Sequence, residues 1–190
     1  ESFLWRSETS HDGGHSWRLE QEVRARRAPR MDASYSDARS ELAGVLAVAG
    51  PHSSLGDQAL VFDRFVGAWA CDYTHFALDG TVAERYSGKV TFGWIIDGHA
   101  LQDVWTGDSA SGEGERSIGT SIRFFDRESG LWSVVWIAPH AGVVATVKGG
   151  AVGDRIVLEG ENPDGSLRRW SFNDIRPDSF TWLGESSHDR

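Results

Sequence analysis

Gly88-Lys89-Val90-Thr91-Phe92-Gly93-Trp94-Ile95-Ile96-Asp97-Gly98-His99-Ala100-Leu101-Gln102-Asp103-Val104-Trp105-Thr106 holds two strand-like runs on either side of an Asp-Gly pair. Val90, Phe92, Trp94 and Ile96 recur at every second residue of the first run, and Leu101, Asp103 and Trp105 do so in the second. A β-strand sends alternate side chains to opposite faces, so each run predicts a strand with one buried face. Glycine accepts positive φ in a tight hairpin, and a link this short joins antiparallel neighbours.

The same pattern extends outward. Phe65–Phe76 leads to Leu78-Asp79-Gly80, and Ser117–Phe125 turns at Asp126–Gly130. Leu131–Ala138, Val143–Gly149, Arg155–Gly160, Leu167–Asp174 and Ser179–Ser186 follow, separated by Gly, Pro, Asn and Asp. This spacing predicts an antiparallel up-and-down meander. With residues 2–9 and 15–27 it reaches about ten strands, and a meander of that length curls or closes into a barrel. The expected fold is therefore all-β: a single antiparallel up-and-down barrel in one domain, residues 1–190. Residues 1–27 would supply closing strands, 28–60 a linker, and 61–190 the main meander. Only Ser34–Leu46 has helical periodicity, with Tyr35, Ala38, Leu42, Val45 and Leu46 on one face. That helix would cap the barrel mouth or pack outside the sheet.

The ends of the chain repeat each other. Ser2–Asp12 and Ser179–Asp189 are identical at seven of eleven positions without gaps. The first copy continues through Gly13-Gly14 into the strand-like segment Trp17–Arg27. Circular permutation or partial duplication accounts for this. If residues 1–27 are displaced closing strands, Trp17–Arg27 is expected beside the strand of Trp69, Ser2–Thr9 beside Ser179–Ser186, and Glu1 near Arg190; if they belong to a preceding repeat or swap into a second molecule, they pack away from their own barrel or onto a neighbour's. Met31, the only methionine, suits a former translational start; a processed N-terminus is the other explanation.

Composition narrows the function. Asp and Glu number 28 against 19 Lys and Arg, a net charge of -9 that disfavours nucleic acid as partner. The basic cluster Arg24, Arg26, Arg27 and Arg30 reads as a strand's solvent face followed by a linker. A single cysteine, Cys71, excludes an intrachain disulfide and disfavours a cysteine zinc site. There is no apolar run of transmembrane length and no signal-peptide pattern, so a cytoplasmic protein without membrane partners is expected, as monomer or homodimer.

Gly67-Ala68-Trp69 at the head of the meander resembles the Gly-x-Trp signature of lipocalins and the wider calycin group. More closely, Phe92-Gly93-Trp94, Asp97-Gly98, Gln102-Asp103-Val104-Trp105 and Trp170-Ser171-Phe172 look like a group of mostly uncharacterised bacterial lipocalin-like proteins. The resemblance spans roughly residues 60–190 plus the 1–27 segment, and it brings no stated chemistry. It implies that Trp69 plugs one barrel end and that an Arg of the last strand, Arg24 or Arg26, packs across it. The strand order departs from the family's.

Alternation places Trp69, Cys71, Tyr73 and His75 inward, together with Phe92, Trp94, Trp105, Trp132, Val134 and Trp136. Phe180 and Trp182 follow, then Trp17, Leu19, Gln21 and Val23. Nine Trp and nine Phe exceed what packing such a barrel needs. The expected function is binding of a small apolar or aromatic molecule, with Trp69, Phe92, Trp94, Trp105, Trp132 and Trp136 as its walls. The alternative is a cofactor-independent cyclase, isomerase or lyase in the same pocket, with Tyr73, His75 and Asp103 as acid, base or oxyanion donor. A purely structural module is a third class. Arg123 would bind a carboxylate if inward, but reads more simply as solvent-facing. His11-Asp12-Gly13-Gly14-His15 reads as a turn rather than a metal clip. His99 falls at a strand start and His140 in a loop. Phosphate loops, nucleophile elbows and His-Glu-x-x-His are missing, so no cofactor and no metal are assigned.

Overall fold

The computed structural model describes residues 2–26, 35–107 and 117–187. These residues fall into two compact units, 1–40 and 41–190. In the first, β1 (Ser2–Thr9) pairs antiparallel with β2 (Arg18–Arg26), from Ser2 opposite Arg26 to Thr9 opposite Arg18, with a bulge at Ser7/Glu8. The connection is the expected turn. The Asp12 carboxylate accepts the Ser16 backbone N–H at 2.9 Å and the hydroxyls of Ser16 and Ser10 at 2.6 and 2.8 Å. Those bonds stabilise the charged form and lower its pKa to about 2.

Helix α1 (Tyr35–Leu46) spans the boundary in sequence. The second unit continues with a 3₁₀ segment (Ser53–Ala59) and a short helix α2 (Leu60–Asp63). Nine strands follow: β3 (Gly67–Phe76), β4 (Val82–Ile95), β5 (Ala100–Gly107), β6 (Ser117–Asp126), β7 (Leu131–Ala138), β8 (Val143–Val152), β9 (Arg155–Glu161), β10 (Leu167–Asn173) and β11 (Thr181–Ser187). Each pairs antiparallel with its sequence neighbours, in the unbroken order β11 to β3. The meander is as expected, and the sheet curls into a half-barrel.

It does not close. Strand direction reverses at every hairpin, so the first and ninth strands point the same way. They could meet only as a parallel pair, and a nine-stranded meander therefore cannot complete an antiparallel barrel by itself. Among the described residues β2 pairs with β1, whereas β3 pairs with β4 and β11 with β10. The expected pairings of Trp17–Arg27 with β3 and of Ser2–Thr9 with Ser179–Ser186 are not in these ladders. Glu1 and Arg190 lie outside the described residues. The Trp69 indole N–H donates to the Phe65 carbonyl at 2.7 Å and its ring meets Phe180 edge-on at 4.9 Å.

The concave face is plugged at one end, and not by α1, whose Leu42 and Val45 are exposed. The plug comes from residues 53–65, a stretch read as linker running into strand. Phe62 and Phe65 are fully buried among Phe92, Trp132, Phe172 and Phe180. Trp94 fixes the plug by donating its indole N–H to Asp63 at 2.8 Å.

Candidate functional site

Alternation assigned most concave-face residues correctly. Val90, Phe92 and Trp94 of β4, Leu101 and Asp103 of β5, and Trp132 and Val134 of β7 are all buried. Ile96 is not inward. It leaves the strand with φ 53° and is half-exposed, because it opens the β4–β5 turn. Phe92, Trp94 and Trp132, expected as pocket walls, are core residues against the plug, each at most 4% exposed. That part of the interior is filled by side chains.

Beyond the plug the concave face carries a run of half-buried rings. Tyr73 stacks on Tyr86 at 4.9 Å and meets Trp105 edge-on at 4.6 Å. Trp105 in turn meets Trp136 edge-on at 5.6 Å. All four are half-buried. A Cβ at Gly119 would enter the Trp136 ring, whereas one at Gly88 would strike the Thr106 carbonyl and also press on the Tyr73 ring at 3.0 Å. Among the described residues the buried Tyr73 hydroxyl has no hydrogen-bond partner of good geometry, its polar neighbours being Cys71 and Trp105. Burial, reinforced by Cys71 and Tyr86, drives its pKa above the ordinary value of 10.0. Burial likewise raises that of Tyr86. Both phenols are therefore hydrogen-bond donors rather than anions.

The three residues considered for catalysis do not converge. His75 is exposed, with Nε2 3.1 Å from the Tyr86 hydroxyl, and so adjoins the Tyr73 cluster. Asp103 lies opposite Phe92 on β4, whereas Tyr73 lies opposite Tyr86. Those positions are six residues apart on one strand, or about 20 Å at the usual rise. Asp103 is instead paired within the core to Arg123, whose side chain points inward and is only 2% exposed. The solvent-facing reading of Arg123 is corrected: β6 registers Arg123 between Leu101 and Val134, both concave-face residues. Its guanidinium lies 4.9 Å from the Phe62 ring and 5.3 Å from the Phe92 ring. Its Nε and Nη1 have no protein partner.

One group of three potential metal ligands occurs among the described residues, at the β4–β5 turn: His52, Asp97 and His99. Sequence reading passed it over because His52 is distant in the chain, although Asp97-Gly98-His99 is a visible half of it. Beside it is a cleft of about 320 Å³ lined by Leu55, Ile96, His99, Phe124, Phe125 and Arg127 among others. No helix among the described residues is long and apolar enough to cross a membrane. No protein-family model matches this chain, and no curated protein matches it in sequence.

Proposed function

We propose that this protein binds a small planar apolar or aromatic molecule on its concave face beyond the plug, against Tyr73, Tyr86, Trp105 and Trp136. The observation that carries this reading is the run of half-buried rings, with the Tyr73 hydroxyl set among them. Rings supply stacking area at low entropic cost, and a buried donor without a well-placed partner favours a ligand that presents an acceptor. Trp69 belongs with this wall; Phe92, Trp94 and Trp132 support it from the core.

The reading extends to the architecture, as a calycin-like half-barrel whose missing wall is one antiparallel strand. A single strand added between β3 and β11 satisfies the direction of both. β1 repeats the sequence of β11 and takes β2 as its partner, so a β2-type strand has the side chains suited to that place. Residues 1–27 would then be the closing segment, within one chain or in a homodimer.

The test is quenching of tryptophan fluorescence by a panel of small planar aromatic compounds. Saturable quenching is expected, with Trp105→Ala and Trp136→Ala each weakening it at least tenfold. Tyr73→Phe should weaken only ligands carrying an acceptor, by about 1 kcal/mol, or roughly fivefold. Failure of every compound to saturate, or affinity untouched by both Trp substitutions, would refute the reading.

A cofactor-independent enzyme is the second reading, favoured by the contact between His75 and Tyr86. With both phenols held protonated, His75 would be the base and a phenol the oxyanion donor. His75→Gln would then abolish turnover while leaving binding intact; equal loss of both assigns His75 to binding alone.

A further inference from the structure

We propose that His52, Asp97 and His99 bind a divalent transition-metal ion of the zinc class. One ligand atom from each lies within 4.8 Å of the other two. Tetrahedral ligands about 2.1 Å from an ion stand roughly 3.4 Å from each other, a spacing that these three atoms approach. Two imidazoles and one carboxylate suit zinc, cobalt or nickel better than calcium or magnesium, which prefer oxygen ligands throughout.

The backbone holds this cluster together at a cost. Ile96, Asp97 and Gly98 adopt φ of 53°, 52° and 76° in succession, a left-handed run that two residues with side chains rarely enter. Such strain, of order 1–3 kcal/mol per residue, persists where the surroundings enforce it and gathers at functional sites. Here the enforcing contact is the segment bearing His52. Its backbone N–H donates to the Gly98 carbonyl at 3.0 Å, and a Cβ at Gly98 would collide with Gly50, Pro51 and His52. The turn and the segment therefore pack backbone to backbone, which sets His52 against His99 with ring centroids 4.0 Å apart.

The second ring nitrogen of His52 is already held. Its Nδ1 accepts the Ser54 backbone N–H at 3.2 Å and lies 2.8 Å from the Ser54 hydroxyl, so Nε2 is the ring nitrogen turned to an ion. For Nε2 to bind metal the proton must move to Nδ1, which then gives up the Ser54 backbone N–H and donates to the Ser54 hydroxyl as its outer support. Ser54 is tied in turn to the β6–β7 turn, because its carbonyl accepts from the Arg127 guanidinium at 3.0 Å. Three protein ligands leave at least one coordination position for water or an added ligand. His99 also lines the adjoining apolar cleft together with Arg127. Asp97 and His99 are exposed, so an ion can enter from solvent.

The experiment is calorimetric titration of the untagged full chain with Zn²⁺, together with visible absorption of added Co²⁺. One equivalent is expected to bind, with imidazole-type Co²⁺ bands that Zn²⁺ bleaches and a large excess of Mg²⁺ leaves in place. His52→Ala and His99→Ala should each abolish the bands, and Asp97→Asn should weaken binding at least tenfold. Ser54→Ala should weaken it about tenfold by releasing the His52 ring, and His140→Ala should leave it unchanged. Near-ultraviolet dichroism checks folding; if the histidine variants misfold, Asp97→Asn and Ser54→Ala decide. Absence of saturable binding to the intact protein, stoichiometric binding that survives in H52A/H99A, or displacement by Mg²⁺ would each overturn the site.

Discussion

Replacing Asp103 by asparagine removes a negative charge while keeping the shape of the side chain and an oxygen for the Ser121 backbone N–H, now 3.0 Å from Oδ1. What is lost is the counter-charge of Arg123. With 2% of Arg123 and 5% of Asp103 exposed, water cannot replace it. Breaking a buried pair from one side typically costs about 3–5 kcal/mol, because the remaining ion stays desolvated. The Phe62 and Phe92 rings flanking the guanidinium offset part of this, so the lower half of that range is expected. Urea unfolding followed by tryptophan fluorescence should show the midpoint falling by roughly 1.5–2 M at a slope near 2 kcal/mol/M. The double variant Asp103→Leu with Arg123→Met should recover to within about 1 kcal/mol of the original protein or exceed it, since Nε and Nη1 already lack protein partners. A cost below about 1 kcal/mol for D103N, or a double variant as unstable as the two single changes combined, would refute the view that these charges stabilise only each other.

Phe62→Ala should cost about 3–5 kcal/mol, because the ring is wholly buried against Phe65, Trp132 and Phe172; denaturant titration reads it, and a loss under 1 kcal/mol would show the plug to be dispensable. Gly98→Ala should lower the melting temperature and weaken Zn²⁺ binding together, since the added Cβ pushes the turn off residues 50–52. Asp126 has its pKa lowered by the Ser129 hydroxyl and the Glu128 backbone N–H. Its contribution is therefore present in full above the unfolded carboxyl value and is lost as pH falls through the lowered folded value; the stability gap between the protein and D126N should be smaller at pH 3 than at pH 7, and a constant gap would contradict this. Deleting residues 1–27 should lower the unfolding midpoint of the remaining sheet if that segment supplies its closing strand, and an unchanged midpoint would count against closure.

The meander was legible because its signals are local. A period of two from Val90 to Trp94 or Trp132 to Trp136 needs only one buried face, and Asp79-Gly80 and Asp97-Gly98 mark hairpins through their own backbone preferences. The repeat of Ser2–Asp12 at Ser179–Asp189 was equally plain, as was the turn built around Asp12. The helical turns of residues 53–63 were not. Leu55, Ala59, Val61 and Phe62 make too short a run to show helical periodicity. Their burial depends on a concave face assembled from strands that come later in the chain. Arg123 was misread for a related reason: Ile122-Arg123-Phe124-Phe125 has no clear parity, and only the registers with Leu101 and Val134 fix its side. Alternation could show that Tyr73, His75 and Asp103 share a face, but not how far apart they lie along it, because that distance is set by cross-strand register. The partners of distant residues, Asp103 with Arg123 and His52 with His99, belong to the tertiary structure alone. Each is a contact between segments whose approach is driven by burial elsewhere, and no local preference of the chain encodes it.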